Sequence, residues 1–511
     1  MPIDAQEKET LPKNVQKYIE ELEWKNVYLK EQLDLLLYKR FVRSAEQLLT
    51  EEKQPDLFSE SEEQNSEETE KEQADDVQEI RSHTRKKPGR KPIDPKLPRK
   101  ETIIDISETD KQCACGTTLV KIGEEVSEKL QIIPPRMYVE RIIRPKYACR
   151  QCEGTEDEEK ATVRIAPAAP SIIPRSIVTP SLLSYIMIQK YEDHLPFFRQ
   201  EKQFERIGIS ISRQDMSNWQ QQAWEKLTPL YGRMKRVIKS GPVLQMDETT
   251  VQVMGEEGRK DTQKSYMWLA RGGPPEKPIV LYEYHESRGA KHASEFLEGF
   301  SGYLQTDGYA GYDTAVRDRP DIIHVGCFAH ARRKFFEASQ VSKKHGSAEE
   351  GIKHIRKLYL LEEELRKQKM TDTEFLAERK ERAEPILDKF KTWLDKRIGE
   401  VPPSLLLGKA LHYTVGQWDK MTAYLESPYL TPDNNACENA IRPFVLGRKN
   451  WLFNKSPEGA KSSCGMYSLI ETARQNGLVP LDYLVMLFER CPTAQYPEDW
   501  EKLLPWNIFT A

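Results

Sequence analysis

Eight short segments between residues 241 and 341 limit the folds open to this chain more than any other feature. GPVLQMDETTVQVM, KSYMWLAR and KPIVLYEYH are rich in β-branched, aromatic and aliphatic residues, so they read as three consecutive strands. AKHASEFLEGF then carries apolar residues at helical spacing, and GYLQTD returns to a strand that ends in Asp307. GYAGYDTAV, IIHVG and CFAHARRKFFEA continue as helix, strand and helix. Three strands in succession followed by alternating helices and strands build a mixed sheet with helices on its faces. Asp247 lies within the first strand and Asp307 at the end of the fourth, so pairing of those strands makes the two acids neighbours. Two carboxylates on adjacent strands offer the hard oxygen ligands that suit magnesium, and a third acid from a late helix would complete the site.

The region before this sheet changes character several times. Leu22, Leu29 and Leu36 recur every seven residues, with Ile19, Asn26 and Leu33 on the companion seam. This heptad stripe predicts a short parallel coiled coil and a homodimer, with an amphipathic helix packed on the chain's own body as the alternative. Residues 51–79 hold 13 acids and 2 lysines, and residues 81–100 hold 9 bases and 1 acid. The acidic run cannot bury enough surface to offset its chain entropy and reads as a disordered linker. The basic run, with Arg85, Lys86, Lys87, Arg90 and Lys91 around KKPGRKP, could lay its charges along DNA phosphates or serve as a solvated tether.

Cys113 and Cys115 stand one residue apart and Cys149 and Cys152 two apart, whereas Cys327, Cys437, Cys464 and Cys491 are scattered. Four thiolates in two knuckles suit structural zinc in a reducing compartment better than a disulfide framework. FFRQEKQFERIGISISRQDMSNWQQQA then reads as a helix, a turn at Gly208 and a second helix capped by Ser210 or Ser212. Its polar face carries Arg213, Gln214, Ser217 and Asn218, the shape of a helix-turn-helix or of a purely structural helix pair. The beginning MPIDAQEKETLPKN has no basic stretch leading into an apolar run, and no segment reaches about 18 consecutive apolar residues. A cytoplasmic protein without membrane spans is expected.

Beyond the sheet, GIKHIRKLYLLEEELRKQK and DTEFLAERKERAEPILDKFKTWLDKRI are charged amphipathic helices, with Ile352, Ile355 and Tyr359 on a buried stripe. NNACENAIRPFVLGRKNWLF follows, placing Glu438 in a helix that Asn434 or Asn435 can cap. Cys327 and His330 make a C-x2-H pair, but two ligands complete no metal site, so helix packing or orientation of the core is expected of them. Tyr309 and Tyr312 could stack on bases, although aromatics near a sheet more often pack in the core.

MDET, TDGYAGY, GCFAHARRKF, NNACENAIRPFVLGRKNWLF and the C-terminal LIETARQNGLVPLDYL with LLPWN resemble the landmarks of the transposases of insertion-sequence-66-type bacterial mobile elements. The resemblance covers nearly the whole chain. It implies a multidomain protein with an α/β ribonuclease-H-like catalytic core, a helical insertion, an N-terminal coiled coil, a small zinc-binding module and a helical DNA-binding region. It places an Asp-Asp-Glu triad on Asp247, Asp307 and Glu438, working with two magnesium or manganese ions. Glu248 beside Asp247 and Glu471 in a later helix are the rival carboxylates. Asp247 and Asp307 are 60 residues apart, but Asp307 and Glu438 are 131 apart, which an α/β unit does not require. A helical insertion accounts for the excess.

The expected divisions are a dimerisation helix over 1–50, the acidic-then-basic linker over 51–100, the zinc module over 101–168 and the helix-turn-helix-like region over 169–235. The core runs over 236–340, is interrupted by the insertion at 341–425, resumes over 426–475, and is followed by a tail over 476–511. The partners implied are DNA, both element terminal inverted repeats and target, a second copy of the chain or a higher oligomer, and companion proteins from the same element. Phosphate contacts are expected from the basic run and from Arg213, Arg332, Arg333, Arg442, Arg448 and Lys449. Two alternatives are a zinc-containing DNA-binding regulator and a metal-dependent nuclease that never joins strands.

Overall fold

The computed structural model describes residues 11–41, 137–148, 163–341 and 346–510. The linker over 51–100, the basic residues Arg85, Lys86, Lys87, Arg90 and Lys91, and the cysteines Cys113, Cys115, Cys149 and Cys152 lie outside the described residues. The chain forms two compact units, one of Ser61–Ala168 and one that combines Met1–Glu60 with Ala169–Ala511. In the smaller unit, β1 (Lys146–Ala148) pairs antiparallel with β2 (Val163–Ile165), and Arg144 donates to the Ala166 carbonyl at 2.9 Å.

The larger unit begins with α1 (Lys13–Phe41), the helix expected from the heptads. Its packing face is not the heptad seam. Leu35 is buried with Ala338, Ala348 and Leu406, and Glu31 accepts from the Leu406 amide at 3.1 Å, while Leu22, Leu29, Leu33 and Leu36 are exposed. One face therefore holds the chain's own body and the other carries the leucine repeat.

The helices α2 (Pro180–Tyr191), α3 (Phe197–Arg206) and α4 (Arg213–Ile238) follow. Ser212 caps α4, its hydroxyl accepting from the Asp215 amide while the Asp215 carboxylate accepts from the Ser212 amide, so the expected helix start is met. However, α4 runs for 26 residues and buries Met216, Trp219, Ala223, Leu227 and Leu230 in the main core, so this region is no separate domain.

The sheet follows the order read from the sequence: β3 (Val243–Val253), β4 (Lys264–Gly272), β5 (Ile279–His285), α5 (Ala290–Leu297), β6 (Gly302–Gln305), α6 (Ala310–Val316), β7 (Ile322–Val325) and α7 (Phe328–Val341). Its spatial order is β5-β4-β3-β6-β7, with β3, β4 and β5 antiparallel and β3, β6 and β7 parallel. Parallel neighbours need crossovers, and α5 and α6 supply them.

An insertion of α8 (Ser347–Arg366), α9 (Asp372–Ile398), α10 (Leu406–Gly416) and α11 (Trp418–Thr422) forms a second core shared with Val325, Phe328 and Phe335. Within it, fully buried Arg379 meets Glu362 at 2.7 Å and donates to the carbonyls of Tyr424, Ser427 and Leu430. A guanidinium with that many partners fixes the strand of chain returning from the insertion.

The chain then re-enters the first core through α12 (Asn435–Trp451), β8 (Phe453–Asn454), which pairs with the far end of β3, and α13 (Pro457–Gln475). The side chains of α13 close the outer edge of β5: the Val280 amide donates to Thr472 Oγ1 and the Tyr282 amide to Ser468 Oγ. Backbone groups that would be an open template are thereby satisfied by a serine- and threonine-bearing helix. The segment expected as a tail is instead structural. α14 (Pro480–Arg490) and the residues after it contribute Tyr483, Leu484, Leu487, Phe488, Leu503 and Leu504 to the main core.

Candidate active site

The parallel register pairs Gln245 of β3 with Gln305 of β6, and Asp247 and Asp307 each lie two residues further on. Those two glutamines are buried; Gln245 Nε2 donates to Gln305 Oε1 at 2.8 Å, and Gln305 Nε2 donates to the Thr431 carbonyl at 2.7 Å. Arg271 Nη1 completes the chain on Gln245 Oε1 at 3.0 Å. Buried amides of this kind stay in one arrangement because any other leaves a donor unsatisfied. The bonds lock β3, β6 and the approach to α12 immediately beneath the acids. A repeated signal in the sequence marks them, since each aspartate stands in the pattern Q-x-D.

Asp307 follows β6 on a short turn, where its Oδ1 accepts from the Tyr309 amide at 2.9 Å. The adjoining Thr306 hydroxyl lies 2.8 Å from His324 Nε2, whose Nδ1 is 2.8 Å from Asp313. Lys420 closes the set on Asp313 at 2.6 Å. The turn bearing the second acid thus has its own polar support.

Glu438 enters from the first turn of α12. Asn434 occupies the cap position, but neither asparagine caps the helix as expected. Asn434 Nδ2 reaches the Met246 carbonyl at 3.1 Å, beside Asp247, and Asn435 donates to Asp433. The side chain is used to fasten the helix to β3, so the cap is given up for a tertiary bond. Two more bonds tie α12 to α7: the Asn434 amide donates to Cys327 Sγ at 3.3 Å, and the Phe328 amide to the Pro432 carbonyl at 2.9 Å.

These contacts gather like charge. Burial pushes the Asp247 carboxyl well above the usual carboxylate range, and the neighbouring charges of Glu248, Glu438 and Asp307 push it the same way. Glu438 has His330 Nδ1 and Arg333 Nη2 within ion-pair range, each at 3.8 Å. Its Oε1 is buried without a hydrogen bond. An orphaned carboxylate oxygen beside a crowded aspartate fits oxygen-bound divalent cations.

The rival acids have other occupations. Successive residues of a strand face opposite sides, and Glu248 accepts from Arg288 Nε at 2.6 Å and from the Tyr312 hydroxyl at 2.5 Å. Glu471 lies buried on α13, 3.0 Å from Arg474, and burial raises its carboxyl to about 7. It sits with Tyr282 and Glu192. Tyr312 is fully buried, and one face of the half-buried Tyr309 ring packs against the Arg288 guanidinium at 3.9 Å.

The basic residues divide similarly. Arg213, Arg333 and Lys449 are exposed, and Arg332 and Arg442 are half-buried. Arg448 was expected at the phosphates, but its Nη1 donates to Thr249 Oγ1, Thr250 Oγ1 and the Thr250 carbonyl. It fastens α12 to β3, a role that a local pattern of basic residues could not reveal.

The geometry agrees with what the chain is similar to. Residues 175–462 match the family model described as transposase IS66 family, and residues 468–506 match the IS66 C-terminal element. Residues 110–153, which include all four paired cysteines, match the zinc-finger binding domain of transposase IS66, and residues 28–102 match the model described as transposase C of IS166 homeodomain. The uncharacterized protein y4jD of Sinorhizobium fredii (strain NBRC 101917 / NGR234) is 33% identical over 425 residues, covering 80% of each chain. The uncharacterized protein y4qI of the same organism is 32% identical over 450 residues, covering 84% of this chain and 81% of its own. Matches that run from the N-terminal helix through the zinc finger and the sheet to the last helices show that the chain belongs to the IS66 transposase family.

Proposed function

We propose that the protein binds the terminal inverted repeats of its element, cleaves DNA there and joins the freed end to target DNA, with Asp247, Asp307 and Glu438 as the catalytic acids. The observation that carries this reading is the crowding of carboxylates at Asp247, where Glu248, Glu438 and Asp307 all oppose its ionisation. The antiparallel half and parallel half of one sheet, with acids on the first and fourth strands, support its reading as a ribonuclease-H-like core. Two magnesium or manganese ions bound among the three acids would activate the attacking oxygen and stabilise the leaving one.

The chain's own part is positioning. The buried glutamine pair and the Asn434 tether hold the carboxylates in place before DNA arrives, and preorganised charge costs no rearrangement at the moment of reaction. Arg332, Arg333, Arg442 and Lys449 supply counter-charge for the phosphate backbone, with Arg213 and the basic run over 81–100 extending that footprint. Water attacks first at the element's end and frees a 3'-hydroxyl. That hydroxyl then attacks a target phosphodiester in the same site. Cys113, Cys115, Cys149 and Cys152 hold structural zinc in the finger module. The exposed leucines of α1 pair two copies, and the protein works in the cytoplasm, with companion proteins of the element joining at the ends.

Purified protein incubated with magnesium, a labelled element end and a plasmid tests the reading. Joined product is expected; cut product alone would reduce the protein to a nuclease, and binding alone to a regulator. Full activity in Asp307→Ala would remove the proposed triad.

A further inference from the structure

The C-x2-H pair that lacked a third ligand in the sequence acquires one in the fold. Cys327 directly precedes α7 and His330 lies on its first turn, so both face the start of α12, where Glu438 stands. The three donor atoms, Cys327 Sγ, a His330 ring nitrogen and a Glu438 carboxylate oxygen, lie within 4.8 Å of one another. His330 Nδ1 and Glu438 Oε1 are both buried without a hydrogen-bond partner, and they are 3.8 Å apart. That separation is too long for a bond between them and close to the span that one bound ion would bridge. Zinc bonds of about 2.0–2.3 Å at tetrahedral angles keep neighbouring donors roughly 3.3–3.6 Å apart.

We propose that Cys327, His330 and Glu438 form a zinc site at the junction of α7 and α12, with Glu438 shared between it and the acid cluster of β3 and β6. The donor set decides the metal. Sulfur, imidazole and carboxylate suit zinc, whereas magnesium takes oxygen ligands and keeps its water. Nearby Asp433 is not a fourth ligand, because its two oxygens accept from the amide and the side chain of Asn435. The fourth position is open to water or a phosphate oxygen, since His330 and Glu438 are half-exposed. Binding displaces the proton of the Cys327 thiol into solvent. Zinc in this place withdraws Glu438 from Asp247 and Asp307, so it opposes the magnesium-supported reaction; that consequence, unlike the binding itself, rests on the function proposed above.

The test counts metal. The full chain is equilibrated with excess zinc, freed of unbound ion by desalting and analysed for zinc per chain, alongside Cys327→Ser, His330→Ala and Cys464→Ser. The Cys-rich module contributes equally to all four proteins. Cys327→Ser and His330→Ala should each hold about one zinc fewer per chain, whereas Cys464→Ser, altered at a buried cysteine elsewhere, should hold as many as the original. Cobalt in place of zinc adds a second readout, a thiolate-to-cobalt absorption band that weakens in Cys327→Ser. Should Cys327→Ser fail to fold, His330→Ala, at a half-exposed position, carries the same count. Equal zinc in the original chain and His330→Ala overturns the site. If the variants lose zinc as expected but the original chain, supplied with magnesium and no zinc beyond its finger, neither cuts nor joins DNA, the zinc site stands and the catalytic reading sinks instead.

Discussion

Two groups of acids flank β3 and differ in what answers their charge. On one side Glu248 is met by the Arg288 guanidinium and the Tyr312 hydroxyl, both donating to it at hydrogen-bond distance. On the other, Asp247 faces Asp307 and Glu438, whose basic neighbours stand further off: His330 and Arg333 at 3.8 Å from Glu438, and Arg288, already bonded to Glu248, at 3.9 Å from Asp307. Burial raises the carboxyls of both Asp247 and Glu248, so burial alone does not separate them. Compensation does. An acid bonded directly to a guanidinium and a hydroxyl is held as structure, whereas an acid crowded by other carboxylates is the one suited to a cation.

The sharpest test of that contrast exchanges one carboxylate on each side. Glu438→Gln should lower DNA cleavage by about 10³-fold or more while end binding, measured by gel shift, stays near its original level. Glu248→Gln should retain measurable cleavage; equal loss in both would erase the distinction. Next in size is Arg288→Ala, which leaves Glu248 buried beside a missing partner and should cost about 2–3 kcal/mol in denaturant unfolding, the value being lowered by the partial exposure of Arg288. Adding Glu248→Gln to Arg288→Ala should recover part of that loss.

A smaller effect is expected beneath the acids. Gln305→Ala strips partners from Gln245 and from the Thr431 carbonyl, so it should cost about 1–2 kcal/mol and depress cleavage without touching the acids themselves. The smallest concerns Glu471, the paired acid of α13. Its carboxyl titrates near about 7 in the folded chain, above the value of an unfolded glutamate, so the native state holds the proton more tightly. Stability from this group is complete below pH ~4.5 and is lost as pH rises through about 7. Glu471→Gln should remove that slope, so that the variant gains on the original as pH rises from 5 to 8 in paired melts. An unchanged slope would mean that Arg474 already compensates the charge.

The strand and helix order of residues 243–341 was legible because each element carries its own periodicity, and the acids could be placed once β3 and β6 were paired. What escaped were roles that depend on a distant partner. Asn434 looks like a helix cap until β3 passes beside it, and Arg448 looks like a phosphate ligand until Thr250 accepts its guanidinium. Residues 476–511 looked like a tail because short helices separated by prolines give weak periodicity, yet Leu484, Leu487 and Leu504 are fully buried. Ser468 and Thr472 would pass for surface residues of a helix, and only the open edge of β5 explains why they are inside. The heptads of α1 were read correctly as a helix, but a seven-residue repeat does not say which other face will also be covered.

The insertion between β7 and α12 has a consequence in time. A chain leaving the ribosome presents Asp247 and Asp307 first, and Glu438 follows 131 residues after Asp307, behind four helices that must fold on Val325 and Phe335 before the return segment can be gripped by Arg379. On the function proposed above, a nascent fragment that ends between Asp307 and α12 carries two of the three acids and lacks the third. The position of the insertion thus acts as a delay: the segment that brings Glu438 to β3 is made only after the helices that must receive it.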